Sequence, residues 1–238
     1  MDYNLPAHIR EHVDTLPNVE RIVTDKPYPQ YNRSLSIPYI TTEYTVFLDN
    51  DILVSPNWLD ALLRCASETG AGIVGPLYLT DEHTIHMFGG CVKQEGSDFY
   101  EWHDRMNARL DLSEVMERKP CDYVEYHCLL VRTELLRKGI LDPNLTIVHE
   151  HIDLCLMGKE MGYSTYVEPS ARITYLQDIP YTEYDLPFFR ERWTMEQTEK
   201  DIDYFCKKWK VANNDTFENI RNFVKRHSTS IRMEQTNK

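Results

Sequence analysis

A short apolar run that ends in two carboxylates constrains the fold of this chain more than any other stretch. Tyr44–Leu48 contains only β-branched, aromatic and aliphatic residues, which predicts a strand buried on both faces. Asp49, Asn50 and Asp51 follow directly, at the carboxyl end of that strand, where open α/β sheets bind their ligands. The spacing allows Asp49 and Asp51 to serve one hard divalent cation, although these residue types are also common in solvated turns.

The order of the elements after that strand predicts an α/β protein. Residues 56–69 carry apolar side chains on one helical face, and a second apolar strand follows at 72–76. This β-α-β order predicts a parallel pair of strands in a mostly parallel central sheet. A hairpin is predicted over 84–92, and a long loop over 94–119.

The composition of the chain shifts after residue 176, which suggests a division into three parts. Residues 1–176 would form the α/β domain, and helical spacing of aromatic residues predicts a helical C-terminal extension over 177–226. Residues 227–238 contain almost no apolar side chains, so we expect a flexible tail there.

The charge and the cysteines restrict the class of protein. A formal charge of −12 and a pI near 5.2 argue against nucleic acid or an anionic membrane surface as a nonspecific partner. The six cysteines form no C-x-x-C pair, which favours free thiols in a reducing compartment. No apolar stretch approaches the length of about 18 residues that a membrane-spanning helix needs. The expected location is therefore cytoplasmic, with peripheral attachment to a membrane left open.

Four stretches in this order resemble the family 2 glycosyltransferases of the GT-A fold. They are YTVFLDNDILVSPNWLDALL, GIVGPLYL followed by IHMFGG, EYHCLLVRTELL, and HEHIDLCLMGKEMGYSTYVEPSARITY. Together they cover roughly residues 19–176. The resemblance implies a GT-A-like (Rossmann-like) three-layer α/β sandwich, with the C-terminal helices as an appendix.

The resemblance also implies a reaction and a cofactor. Members of this family transfer a sugar, with inversion, from a nucleoside-diphosphate donor such as a UDP- or GDP-sugar. The acceptor, a glycan, a lipid or a protein, is not indicated by the sequence. Asp49 and Asp51 would hold Mn²⁺ or Mg²⁺, because oxygen ligands suit these cations.

The remaining site residues follow from the positions that match the family pattern. The general base would be His151, with Glu150 as the alternative and Asp153 as an orienting group. The expected donor-side residues are Asp49, Asn50, Asp51, Arg33, Gly89 and Gly90. The expected acceptor-side residues are His127, Glu125 and Arg132.

The chain departs from the family pattern in three places, which keeps other functions open. The usual first strands are missing, His151 replaces the usual catalytic Asp, and Tyr175 replaces a late histidine that often binds the metal. One alternative is a catalytically silent sugar-nucleotide or glycan-binding module, or a fragment of a larger glycosyltransferase. A nucleotidyltransferase is a weaker alternative, because no glycine- and lysine-rich phosphate loop is visible near the N-terminus.

Overall fold

The computed structural model describes residues 2–111, 113–176 and 182–236, with side chains described as far as residue 228. Its strands are β1 (Tyr44–Leu48), β2 (Ile52–Val54), β3 (Ile73–Leu79), β4 (Ile85–Met87), β5 (Gly90–Glu95), β6 (Asp98–His103), β7 (Lys119–Cys121), β8 (Cys128–Arg132) and β9 (Thr165–Tyr175). Its α-helices are α1 (Ala7–Thr15), α2 (Pro29–Ser36), α3 (Trp58–Thr69), α4 (Thr133–Arg137), α5 (Glu150–Glu160), α6 (Leu186–Arg192), α7 (Met195–Trp209) and α8 (Glu218–Thr236).

The central sheet has the order β1-β8-β3-β9-β2, with β4 added beside β3 and β7 beside β9. Among the described strands, β3 and β9 form a parallel pair, and the other pairings are antiparallel. The sheet is therefore mixed. The predicted β-α-β unit exists as β1, α3 and β3. We expected its two strands to be hydrogen-bonded to each other, but β8 lies between them.

The sheet and the helices share one large apolar core. Strand β3 is buried along its whole length, and β8 is buried except at its last residue, as their near-continuous apolar sequences require. Helix α3 ends at Gly70, whose φ of +70° suits a left-handed C-cap, and packs on β3 and β9. Its buried face consists of Ala61, Leu62, Cys65 and Ala66.

The region after β3 differs from the sequence expectation. The predicted hairpin over 84–92 does not form, because β4 pairs with the end of β3 instead of with β5. Strand β5 pairs with β6, which lies inside the predicted loop over 94–119, and Gly96 takes the turn between them with φ of +63°. This arrangement places His86 of β4 and His103 of β6 next to the same side chain, Glu125.

Helix α7 belongs to the same core, whereas Trp193, directly after α6, and Val224 of α8 form a separate small cluster. Ile202, Phe205 and Cys206 of α7 are buried in the main apolar cluster, together with residues of β3 and β8. Asp201 of α7 accepts hydrogen bonds from the backbone amides of Ile147 and Val148, at 2.8 and 3.0 Å, and so fixes the segment that leads into α5.

Two further expectations concern the end of the chain and the thiols. Helix α8 runs to Thr236 and therefore occupies most of the segment for which we expected a flexible tail. All six cysteines are free thiols, as predicted. In the described ranges, every helix is too short or too polar to cross a lipid bilayer.

Candidate functional site

The end of β1 places Asp49 directly beside His127. Because β1 and β8 are antiparallel, the residue after β1 lies opposite the residue before β8. The backbone amide of Asp49 donates to the carbonyl of His127 at 3.1 Å, and the Asp49 carboxylate lies 3.2 Å from Nδ1 of the His127 ring. Arg33 of α2 reaches the other Asp49 oxygen at 3.3 Å. Arg33, which we expected on the donor side, therefore lies beside Asp49.

Asp51 brings a second carboxylate to the same place. Its backbone carbonyl accepts from the amide of Leu176, which ties it to the end of β9. Its buried Oδ1 has no hydrogen-bond partner among the described residues. Burial raises the pKa of Asp51, and the neighbouring Asp49 raises it further. A buried, unpartnered carboxylate oxygen beside a second carboxylate is an arrangement that a cation would stabilise.

The donor atoms at this point fit a divalent cation. One ligand atom from each of Asp49, Asp51 and His127 lies within 4.8 Å of the others. Two carboxylates in such a set suit Mn²⁺ or Mg²⁺, which prefer oxygen ligands. His127, which we expected on the acceptor side, thus lies next to the two aspartates.

Tyr175 occupies the position at which the family pattern often has a metal-binding histidine. Its ring stacks on the His127 imidazole, with centroids 4.1 Å apart and 25° between the planes. The imidazole nearest to the two aspartates therefore comes from the residue before β8, and Tyr175 supports it from the end of β9.

Glu125 lies near Nε2 of His127, whereas Asp49 lies near Nδ1 of the same ring. The Glu125 carboxylate contacts the imidazoles of His86 on β4 and His103 on β6. Burial would raise the pKa of Glu125, but the surrounding imidazoles hold it well below its usual range. Glu125 thus lies within a cluster of three histidines.

Glu150 and His151 form a second pair of titratable groups at the start of α5. Nδ1 of His151 lies 3.9 Å from Oε2 of Glu150, and the Tyr123 ring lies 5.5 Å from the His151 ring. Burial alone would lower the pKa of His151, but the Glu150 carboxylate raises it above its usual value. Burial opposes ionisation of Glu150, yet His151 holds the pKa of Glu150 below its ordinary value. The two groups interact through their charges, because 3.9 Å is too long for a hydrogen bond and the buried Oε2 of Glu150 has no hydrogen-bond partner among the described residues.

Asp153 does not belong to this pair, which corrects the expectation that it orients the base or the acceptor. Its side chain is fully buried. One oxygen accepts from Lys208 and the other from the Trp209 indole, at 2.9 and 2.8 Å. Both oxygens are thus occupied by α7, and Asp153 anchors that helix to α5.

Arg132, which we expected on the acceptor side, lies at the far end of β1 from the two aspartates. It pairs with Tyr44 at the beginning of β1, whereas the two aspartates follow the end of that strand. Its guanidinium donates to the Ala71 carbonyl at 3.3 Å and lies 3.5 Å from the Glu43 carboxylate. The length of β1 separates Arg132 from the site, because an antiparallel strand rises about 3.4 Å per residue.

The two glycines after β4 have a packing explanation. A Cβ on Gly90 would approach the Tyr123 ring to 2.3 Å, and one on Gly89, where φ is +77°, would approach Cys121 to 2.7 Å. Both are buried, so the structure gives no open backbone surface there of the kind we expected for donor binding. Asn50, by contrast, is exposed between the two aspartates.

Arg192 and His103 were not expected near the site from the sequence, and His86 was considered only together with Gly89 and Gly90 on the donor side. Burial disfavours ionisation of Asp51 and Glu150. The positive charge of Arg192 on α6 acts in the opposite direction and lowers the pKa of both carboxyl groups. No local pattern connects Arg192 with the aspartates, because the two segments meet only in the folded chain. His86 and His103 fit ordinary strands. The β3–β4 pairing brings His86 towards Glu125, whereas His103 is placed by the β5–β6 pairing, in which it lies opposite Gly90.

Comparisons with known proteins agree with the fold. No protein-family model matches the chain. The uncharacterised protein y4gI of Sinorhizobium fredii (strain NBRC 101917 / NGR234) is 27% identical over 178 residues, which cover 71% of this chain and 18% of that protein. The chain thus corresponds to less than one fifth of that relative.

A solved structure resembles almost the whole chain. It is the crystal structure of GalNAc-T7 with UDP, GalNAc and Mn²⁺, with a TM-score of 0.54 and 14% identity. The match covers 93% of this chain and 45% of that chain. At this identity the likeness concerns the fold, and it confirms the α/β class with the GT-A-like architecture that the sequence predicts.

Proposed function

We propose that the chain is a glycosyltransferase that transfers a sugar from a UDP- or GDP-sugar to a glycan, lipid or protein acceptor. The observation that carries this proposal is the pair Asp49 and Asp51 after β1, with a buried Asp51 oxygen that has no partner among the described residues. The fold supports it, since the similar GalNAc-T7 structure contains UDP, GalNAc and Mn²⁺. Membership of family 2 and a cytoplasmic location are parts of the proposal that rest on the sequence.

The donor side would use the aspartates and the positive groups around them. Asp49 and Asp51 would hold Mn²⁺, with Mg²⁺ as the alternative that their oxygen ligands allow. A cation bound there would offset the charge that develops on the leaving diphosphate. Arg33 is suited to the same diphosphate, because its buried Nη1 has no hydrogen-bond partner within the described ranges. The exposed Asn50 amide is available to the donor between the two carboxylates.

The acceptor side would use the His151–Glu150 pair. His151 is the more accessible member, with 22% of its side chain exposed against 9% for Glu150. It would take the proton from the acceptor hydroxyl, while the charge of the Glu150 carboxylate stabilises the imidazolium that forms. Inversion at the anomeric carbon is the expected outcome for a single displacement, and the anomeric configuration of the product tests it.

Calorimetric titration with UDP and GDP, each with and without Mn²⁺, tests the donor site. We expect Mn²⁺-dependent binding of one nucleotide in the native chain and its loss in Asp51→Ala, because the second carboxylate ligand is removed. Asp60→Ala removes an exposed carboxylate from α3 and is the matched control, which should bind like the native chain. Absence of binding to both nucleotides in the presence of Mn²⁺ would contradict the proposal.

The alternative is a catalytically silent module that binds a nucleotide sugar. The replacement of the usual catalytic Asp by His151 favours it. A product assay separates the two functions, since a transferase releases the nucleoside diphosphate and His151→Ala should stop that release without weakening nucleotide binding. Binding without release in the native chain would support the silent module.

A further inference from the structure

Three imidazoles surround the Glu125 carboxylate beside the aspartates. Nε2 of His86 lies 3.0 Å from Oε2 of Glu125, and Nε2 of His127 lies 3.8 Å from the same oxygen. Nε2 of His103 lies 3.4 Å from the other oxygen, Oε1. The side chains come from β4, β6 and the segment before β8, so the fold assembles them from three separate places.

Hydrogen bonding alone leaves part of this cluster unexplained. His86 already occupies Oε2 of Glu125, and the 3.8 Å separation of His127 from that oxygen is too long for a hydrogen bond. Two imidazole nitrogens therefore face one carboxylate oxygen, and only one of them is within hydrogen-bond distance. In the part of the chain that the structure describes, the buried Nδ1 of His103 also has no partner.

The separations match those between ligands of one metal ion. Bonds of about 2.0–2.1 Å in a tetrahedral site place neighbouring ligand atoms about 3.3 Å apart. The observed 3.0 and 3.8 Å contacts to Glu125 Oε2 lie on either side of that value. One ligand atom from each of His86, Glu125 and His127 lies within 4.8 Å of the others.

The outer contacts of the cluster suit metal ligation as well. Nδ1 of His127 faces the Asp49 carboxylate at 3.2 Å, and a proton on Nδ1 leaves Nε2 free to bind a metal. His103 fixes Glu125 through the other carboxylate oxygen. The three side chains are 12–20% exposed, which leaves an ion access from solvent.

We propose that His86, Glu125 and His127 bind a divalent d-block cation of the zinc type at a second site, next to the Asp49–Asp51 site. The ligand sets distinguish the two sites. Two imidazoles and one carboxylate favour zinc, cobalt or a related metal, whereas two aspartates favour Mg²⁺ or Mn²⁺. A metal at the second site fastens β4 to the segment before β8 and holds the His127 ring against Asp49.

The test is a titration of the metal-free full chain with Co²⁺, followed by displacement with Zn²⁺. We expect one tightly bound Co²⁺ whose visible absorption shows nitrogen ligation at a site of low coordination number, and which Zn²⁺ displaces. His86→Ala should weaken binding at least about tenfold and change the spectrum, since a ligand is lost. His83→Ala, an exposed histidine three residues earlier, is the matched control and should bind like the native chain.

Two further variants make each outcome decisive. Glu125→Gln should weaken Co²⁺ binding as well, and it serves as the test if near-ultraviolet circular dichroism shows that His86→Ala is unfolded. Asp51→Ala should keep the Co²⁺ spectrum while losing Mn²⁺-dependent nucleotide binding, so failure of the donor site and failure of this site are distinguishable. Absence of Co²⁺ binding in the native chain, or an unchanged spectrum in the folded ligand variants, would overturn the inference.

Discussion

At the residue scale, His127 connects the two groups of candidate ligands because its two nitrogens face different carboxylates. Nδ1 faces Asp49 at 3.2 Å and Nε2 faces Glu125 at 3.8 Å. Burial would lower the pKa of His127, but the hydrogen bond to Asp49 and the charge of Glu125 raise it above its usual value. The position of the His127 ring thus depends on both sites. A substitution or a bound cation at one site will therefore affect the other site through this ring.

The pair at the start of α5 leads to a prediction about pH. A general base must be neutral, so the rate of nucleotide release should rise with pH through the raised pKa of His151. Glu150→Gln removes the carboxylate that raises this pKa. The rising limb should therefore move to lower pH, and the plateau rate should fall because the base is weaker. Rates of UDP or GDP release measured across the pH range give both values.

The control for this prediction lies on the same helix. Glu160→Gln changes an exposed carboxylate at the other end of α5 and should leave the pH profile as it is in the native chain. If the limb of Glu150→Gln coincides with the native limb, the carboxylate does not act on the base, and His151 loses its support for that role.

At the element scale, the contact between α5 and α7 explains why Asp153 is a structural residue. Lys208 of α7 donates to Asp153 and to Asp142, both at 2.9 Å, and the next residue, Trp209, donates to Asp153. The spacing of Glu150 and Asp153 on one helix does suggest a shared site, and sequence reasoning had no means to see that α7 covers the second carboxylate. The start of α5 was predictable because its pattern is local, whereas the packing of α7 against Asp153 depends on residues far along the chain.

The buried network gives a prediction about stability. Lys208→Met leaves the buried Asp153 carboxylate without its cation, so the free energy of unfolding should fall by about 2–4 kcal/mol. Lys200→Met breaks an exposed pair with Glu196 on the same helix, and it should leave the free energy of unfolding almost unchanged because solvent screens that pair. Urea denaturation followed by circular dichroism measures both values.

A double-mutant cycle separates this interaction from the packing of the lysine stem. In Asp153→Asn the charge is gone, so Lys208→Met should cost less there than in the native background, by at least about 1 kcal/mol. Equal costs in the two backgrounds would mean that the ion pair contributes nothing to the attachment of α7.

At the scale of the whole molecule, the parts that the sequence predicted best are those set by local pattern. The positions of the strand before Asp49, helix α3 and the start of α5 follow from local apolar pattern and helix-end residues. The expected burial of that strand on both faces was wrong, because β1 lies at the edge of the sheet and only Phe47 in it is buried. The pairing of strands does not, because the apolar sequence of β8 fits a central position equally well beside several partners. The position of β8 between β1 and β3 then determines that His127, and not a residue of β9, lies beside the aspartates.

The division into an α/β domain and a helical extension has a measurable consequence for unfolding. Cys206 lies on α7, in the proposed extension, and Cys65 and Cys128 lie on α3 and β8, yet all three are buried in one apolar cluster. We therefore expect the whole cluster to open in one cooperative transition, although α6–α8 come after the α/β elements in sequence.

Thiol labelling over a series of urea concentrations tests this expectation without any substitution. Mass spectrometry of the digested chain reports each cysteine separately, and Cys206 should become reactive at the same urea concentration as Cys65 and Cys128. The partly exposed Cys91 should react in the folded protein and serves as the internal control. Labelling of Cys206 at a clearly lower urea concentration would show that the extension unfolds first and that the boundary near residue 177 separates two cooperative units.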